Sequence, residues 1–357
     1  MNWSRLAGRA ARLQWVARTM TAGQVIELDP SEAAAIAAYA GALADRYESS
    51  ESAELYRDLP LLAHAMPPTI KQTLNGFRLN DDEGYLLVKG HAIDDRRIGP
   101  TPGNWRGRPP RNPAFEEELA LLLYGALLGD PFGWRTQQDG RLVHEVFPIK
   151  GDEESQLGTG SLTALTWHTE DAFHPFGADY LLLMGLRNPD RVPTTVGHLD
   201  VGALDGDIVD TLFSERFIIA PDNSHLAANN SAGAADEVAF AEIERMLTAP
   251  EPMAVLRGAR TSPYLRIDPY FMSTLEGDVE AERALAAAVD VIDRSMADVV
   301  IEPGDILILD NLRVVHGRRP FRPRYDGADR WLKRINVTRD LRRSAAKRAG
   351  PSCRLVG

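Results

Sequence analysis

Trp167-His168-Thr169-Glu170 sets an imidazole and a carboxylate two residues apart. On an extended strand, residues at that spacing project from one face, so both side chains can reach one ion. A second imidazole stands far downstream. The turn Glu302-Pro303-Gly304-Asp305 leads into a strand and then Asp310-Asn311-Leu312-Arg313-Val314-Val315-His316-Gly317-Arg318. Two histidines and one carboxylate on one face of an iron leave three coordination positions open, which is what oxygen activation requires. His-x-Glu is a weak signal alone, and His144, His174 and His198 read as surface or packing residues. The downstream arginines add to it. Arg330 follows His316 by fourteen residues and Arg334 follows Arg330 by four, an even spacing that puts both on one face of an extended strand.

These residues need strands to hold them. From about Val143 onward the chain reads as strands separated by Gly, Pro, Asn and Asp: Tyr180–Leu186, Phe217–Ala220, Tyr264–Ile267, Asp305–Leu309 and Leu332–Val337. One helix, around Val279–Met296, interrupts them. The upstream part is helical. Asp29-Pro30-Ser31-Glu32 combines a capping side chain, a proline at the first helical position and a glutamate three residues after the cap. Ile36, Tyr39, Leu43 and Tyr47 then recur at helical spacing. A second helix is expected over Ser52–Ala65, stopped by Pro67-Pro68, then a buried strand at Tyr85–Val88 and a helix over Phe115–Leu128. Gly151–Gly160 and Asp222–Glu237 are long, polar stretches of small residues, expected as binding loops or lids. The second has no apolar anchor beyond Leu226, which predicts a mobile lid.

The 357 residues are 44% apolar and 25% charged, enough for a sizeable core, with a formal net charge of -11. So acidic a chain is a poor partner for a phosphate backbone, which argues against nucleic acid. The longest apolar run, Leu119–Leu128, is about half of what a bilayer needs, so no membrane span is expected. Cys353 is the only cysteine, which excludes an intramolecular disulfide and a cysteine-based zinc site. A cytoplasmic protein follows as the simplest expectation. The Arg-rich, acid-free first 26 residues read as a surface helix or, less simply, a targeting segment.

With His168, Glu170, His316 and the two arginines in this order, the chain resembles the iron(II)/2-oxoglutarate oxygenases. Glutamate in place of the commoner aspartate, in His-Thr-Glu-Asp-Ala-Phe-His-Pro (His168 to Pro175), is similar to the clavaminate synthase-like branch. Within it, the hydroxylases of free arginine and asparagine that serve peptide-antibiotic assembly are most alike. The resemblance runs from about Ile26 to Arg339. It implies a β-rich α+β fold with a double-stranded β-helix (jelly-roll) core and flanking helices. It also implies iron(II), with 2-oxoglutarate and O2 as cosubstrates. His168, Glu170 and His316 match the metal ligands. Arg330 matches the arginine that pairs with the distal carboxylate of 2-oxoglutarate, and its planar fork suits that task. Thr194 or Thr195 matches the hydroxyl added to that carboxylate, and Arg334 matches the arginine that binds the substrate carboxylate.

The resemblance further assigns Gln137, with Gln138 as its neighbouring alternative, and Glu170 to the substrate amine. Asp222 and Ser224 are assigned to the far end of the substrate side chain. The arginine-specific pattern carries two acids two residues apart on one strand. Here Arg266-Ile267-Asp268-Pro269-Tyr270 keeps Asp268 and replaces the second acid with Tyr270. A phenol can accept or donate one hydrogen bond without charge, so the pocket is expected to favour a neutral, arginine-shaped side chain such as citrulline. Arginine or a cyclised guanidine amino acid stays open because Asp222 and Asp268 persist. Hydroxylation at the β or γ carbon, desaturation and ring closure are not separated by these residues.

The expected organisation is an N-terminal extension (1–25), a single oxygenase domain (26–342) and a C-terminal tail (343–357). Two other functions compete. Zinc accepts two histidines, a glutamate and water, but a zinc hydrolase does not need Arg330. A non-catalytic amino-acid sensor would be expected to have lost a ligand or Arg330.

Overall fold

The computed structural model of the chain describes residues 23–107, 109, 111–231 and 237–357. The Arg-rich start falls outside these up to residue 22. The first helix, α1 (Pro30–Arg46), begins as its cap residues dictate: Asp29 Oδ1 accepts the Ser31 N–H at 2.8 Å, and Pro30 opens the helix. Next come α2 (Ala53–Leu62) and α3 (Pro68–Leu79). The reading that stopped at Pro67-Pro68 missed α3. Proline ends one helix but is pre-organised for the first turn of the next. After the single turn α4 (Asp95–Ile98), α5 (Phe115–Leu128) is apolar all round beyond its acidic first turn, and Leu119 to Tyr124 are all buried. Such a helix belongs inside. It lies between the α1–α3 layer and a large sheet.

That sheet is mixed and eight-stranded. Its members are β1 (Gln24–Glu27), β2 (Tyr85–Lys89), β3 (Asp130–Trp134), β4 (His144–Val146), β6 (Tyr180–Arg187), β13 (Ile306–Asp310), β15 (Trp331–Thr338) and β16 (Leu355–Val356). The order is β1-β2-β13-β6-β15-β3-β16, with β4 on the free part of β15. A four-stranded antiparallel sheet faces it, built of β5 (Leu165–His168), β7 (Thr194–His198), β12 (Ala297–Val299) and β14 (Val314–Arg318) in the order β12-β7-β14-β5. Two antiparallel pairs complete the strands: β8 (Phe217–Ile219) with β11 (Met272–Thr274), and the hairpin β9 (Leu256–Ala259) with β10 (Ser262–Leu265). Their cover includes α6 (Gly206–Leu212), α7 (Glu237–Thr248) and α8 (Val279–Ser295). Among the described residues the β-rich half therefore holds three α-helices where one was expected.

Strand parity explains the core. In β6, Tyr180, Leu182 and Met184 pack toward the helices, while Leu181 and Leu183 point between the sheets. In β13, Ile306 and Ile308 take the first side, Leu307 and Leu309 the second. Both faces are buried, which is why these strands read as continuous apolar runs. In β15, Leu332 faces the second sheet and Ile335 and Val337 face the helices. Arg334 consequently projects between the sheets, and Lys333 projects toward α5.

Both ends of the chain depart from the expected boundaries. β1 starts at Gln24 and pairs parallel with β2, before the boundary drawn at residue 26. The segment 343–357, expected as a tail, ends in β16, whose Leu355 and Val356 pair with Gly133 and Trp134 of β3.

Candidate active site

His316 of β14 is the direct cross-strand partner of His168 of β5, and their ring centroids are 4.7 Å apart. The expectation that Glu170 shares the strand with His168 needs correction. β5 ends at His168, and Glu170 opens a turn whose next residue, Asp171, has φ +51°. The carboxylate still converges: Glu170 Oε2 lies 3.4 Å from His316 Nε2 and 3.8 Å from His168 Nε2. Two donors each about 2.1 Å from one ion are at most about 4.2 Å apart, so both separations fit a single metal ion.

The surroundings hold these donors ready. His168 Nδ1 lies 2.8 Å from the Thr166 carbonyl, which accepts the Nδ1–H hydrogen bond and directs Nε2, once that nitrogen gives up its proton, toward an ion. Asn311 grips the Glu170 backbone from both sides: its Oδ1 accepts the Glu170 N–H at 2.7 Å, and its Nδ2 donates to the Glu170 carbonyl at 3.1 Å. Gly317 lets β5 and β14 meet, since a Cβ there would lie 2.6 Å from the Leu165 carbonyl oxygen. Burial opposes charge on His168, yet Glu170 and Asp268 carry its pKa up to about 9. Burial likewise opposes the Glu170 carboxylate, and Arg334 with the two histidines holds its pKa well below the usual range.

Arg334 binds Glu170 Oε1 through Nη1, and its Nη2 donates to Gln137 Oε1 at 2.8 Å and to His144 Nδ1 at 2.6 Å. His144 is no surface residue. Its Nε2 meets the Arg141 carbonyl at 2.9 Å, and burial, then Arg334, keep it neutral, so Nδ1 is free to accept. Arg330 is buried, and its Nη2 donates to Thr194 Oγ1 at 3.1 Å. Thr194 lines the pocket and Thr195 does not, as strand alternation requires. Burial first, and Arg318 second, lower the Arg330 pKa to about 9. Burial also lowers Arg318 to about 10, and each guanidinium keeps a buried Nε without a hydrogen bond. Two cations held in this way suit an incoming carboxylate.

Gln137, Asp222, Ser224, Asp268 and Tyr270 line the same cavity. Gln137 Nε2 donates to Ser224 Oγ at 2.7 Å, whereas Gln138 is spent on the Glu145 backbone at 2.8 and 2.9 Å. Asp268 and Tyr270 are on a turn after β10, not on one strand. Asp268 Oδ1 accepts the N–H groups of Tyr270 (3.1 Å) and Phe271 (3.3 Å), closing that turn. Tyr270 is 56% exposed at the cavity rim, its ring 4.8 Å from Phe271.

Comparison with known proteins agrees with this geometry. Residues 237–336 match the family model described as taurine catabolism dioxygenase TauD, TfdA family. The chain is 44% identical over 338 residues to an enduracididine beta-hydroxylase of Streptomyces hygroscopicus, covering 93% of this chain and 99% of the relative. It is 44% identical to an L-ornithine/L-arginine 3-hydroxylase of Catenulispora acidiphila over 333 residues, 90% of this chain and 96% of the relative. The chain belongs to the TauD/TfdA dioxygenases. Its branch is the clavaminate synthase-like one. The non-heme iron oxygenase OrfP, solved with Fe, succinate and (3S)-hydroxy-L-Arg, superposes with a TM-score of 0.91 at 52% identity, covering 93% of this chain and 99% of OrfP.

In this TauD/TfdA dioxygenase several site residues carried no motif of their own. Arg318 shares strand parity with His316, which was a usable signal, but it was lost among the many arginines of 318–339. Asn311 and His144 act through contacts 141 and 190 residues away in sequence. The loop expected as a free lid is partly tied down. Asn230 Nδ2 donates to the Thr136 carbonyl at 2.7 Å, and His225 is fully buried. Residues 232–236, including Gly233, lie outside the described part. Among the described residues no helix is long and apolar enough to cross a membrane.

Proposed function

We propose that this dioxygenase hydroxylates an unactivated β or γ C–H of a free L-amino acid with an arginine-like side chain, L-citrulline preferred, for peptide-antibiotic assembly. The observation that carries the class is one cavity holding the His168–Glu170–His316 face, buried Arg330 beside Thr194, and Arg334. The two facing sheets are read as the double-stranded β-helix of the family, and the domain as one unit. Iron(II), when bound by His168, Glu170 and His316, supplies the site of O2 activation, while 2-oxoglutarate leaves as succinate and CO2. Arg330 and Thr194 would hold the distal carboxylate of 2-oxoglutarate. Arg334 would hold the substrate carboxylate, with Gln137 and Glu170 on the amine, and Asp222, Ser224, Asp268 and Tyr270 at the far end of the side chain.

The preference for citrulline rests on Tyr270 and on how the two acids are already engaged. Asp268 Oδ1 accepts two backbone N–H groups, and Asp222 Oδ1 accepts the Ser224 N–H at 2.8 Å and its Oγ–H at 2.5 Å. Carboxylates so satisfied press less for a cation, and the Tyr270 hydroxyl can donate to a ureido carbonyl. A second reading, arginine or a cyclic guanidine amino acid, is favoured by the remaining carboxylate oxygens and by the relatives named for arginine and enduracididine. Competition between equal citrulline and arginine, on the wild type and Tyr270→Asp, decides. Citrulline should win on the wild type, and the variant should shift toward arginine. An arginine-preferring wild type, or a ratio that does not move, sinks the citrulline assignment.

A further inference from the structure

His225 takes no part in the ligand contacts above, yet its side chain is fully buried on the pocket loop. Trp134 and Phe173 pack edge-on against its ring, with centroids 5.7 and 4.9 Å away. Its Nδ1 lies 2.8 Å from Thr136 Oγ1, and its Nε2 lies 3.0 Å from Asp171 Oδ1 and 3.8 Å from Asp222 Oδ2. Asp171 Oδ2 accepts from Trp134 Nε1 and, at 3.0 Å, from Asn336 Nδ2. The Asp171, Asp222 and His225 donors are close enough to suggest a second cation site. Asp171 Oδ2 already accepts from Trp134 and Asn336, and Oδ1 faces His225 Nε2, the arrangement of a hydrogen-bonded brace.

The brace closes a ring. Asp171 directly follows Glu170, and its left-handed φ of +51° is an uncommon conformation that aspartate enters more readily than most residues. From Asp171 the ring runs to His225, whose neighbour Ser224 accepts from Gln137. Gln137 in turn accepts from Arg334, and Arg334 returns to Glu170.

We infer that His225 is a positioning residue that locks the loop bearing Asp222 and Ser224 to the Glu170–Asp171 turn, holding the side-chain end of the substrate pocket in register with the metal-binding face. This rests on the proposed substrate role of Asp222 and Ser224. Packing alone would make His225 a stability residue. A brace makes it a local one, whose loss frees the loop and spares the sheets.

Hydrogen exchange on wild type, His225→Ala and His225→Gln, paired with steady-state kinetics, separates the two. In His225→Ala, exchange across 222–231 and 170–174 should rise about tenfold, the order expected for one buried hydrogen bond, with β6 and β13 unchanged. The KM for the amino acid should rise by a similar factor while the KM for 2-oxoglutarate stays within about twofold. His225→Gln, which can still donate to Asp171, should recover most of the loss. Unchanged exchange in 222–231, or an equal rise in β6 and β13, overturns the inference. Should His225→Ala not fold, Thr136→Val removes one hydrogen bond and leaves the ring, and the same segments must loosen, by less. A wild type that turns over no arginine-like amino acid defeats the substrate reading, while the exchange data still decide the brace.

Discussion

His168 and His316 are paired directly across the β5–β14 ladder, so the spacing of the two imidazoles is set by a strand register and not by a loop. The register shifts immediately beyond, between His316 and Arg318, where Gly317 lets the Leu165 backbone approach. The metal site proposed there would be as precise as the sheet pairing beneath it.

Gly317→Val should therefore weaken iron binding by about tenfold or more, because the added side chain meets backbone that cannot yield. Titration of the apo-protein with iron(II) under anaerobic conditions measures it. Gly41→Ala, at an open helical position, is the control and should bind as the wild type does.

His168→Ala and His316→Ala should each abolish iron-dependent turnover and leave the thermal transition of the apo-protein within a few degrees of wild type. Both imidazoles are at the cavity wall, outside the hydrophobic core. Circular dichroism and succinate release give the two readouts. Iron-dependent activity surviving in either variant removes the triad assignment.

Arg330→Ala should raise the 2-oxoglutarate KM much more than the amino-acid KM, and Arg334→Ala the reverse. Losing one partner of a buried charge pair costs about 2–5 kcal/mol, roughly one and a half to three and a half decades in affinity. Identical behaviour of the two variants would show that the proposed division of labour is wrong.

On the opposite face of β15, Lys333 is fully buried against Glu118, at 2.7 Å, and Glu145, while Glu145 also accepts from Trp331 Nε1 at 2.7 Å. Lys333→Met leaves two acids without their shared cation and should cost about 3–5 kcal/mol of stability. Urea unfolding of the apo-protein reports it. A loss below about 1 kcal/mol contradicts the pairing.

The residues that line the cavity were legible by type and order, although Glu170 and Arg330 sit just outside the ends of β5 and β15 and not on the strands their spacing suggested. His168, Glu170, His316, Arg330 and Arg334 carry their own signal, and the apolar runs of β6 and β13 announce a sheet buried on both faces. What escaped depended on contacts distant in the chain or on local chemistry with two outcomes. Asn311 is an unremarked amide until the fold brings Glu170 to it. Asp268 and Tyr270 read as strand neighbours, yet Asp268 can cap its own turn, and that local hydrogen bonding wins over extension. Pro67-Pro68 signals a stop and a start equally. His225 looked like part of a polar lid, and only burial reveals it as the loop's anchor.

The most direct test is purified protein with iron(II), 2-oxoglutarate, isotopically labelled dioxygen and either citrulline or arginine, followed by mass spectrometry of both products. One labelled oxygen in succinate and one in the amino acid, in equal amounts, is the result expected. An amino acid left unaltered while 2-oxoglutarate is untouched, or a product formed equally well without dioxygen, would contradict the hydroxylase assignment.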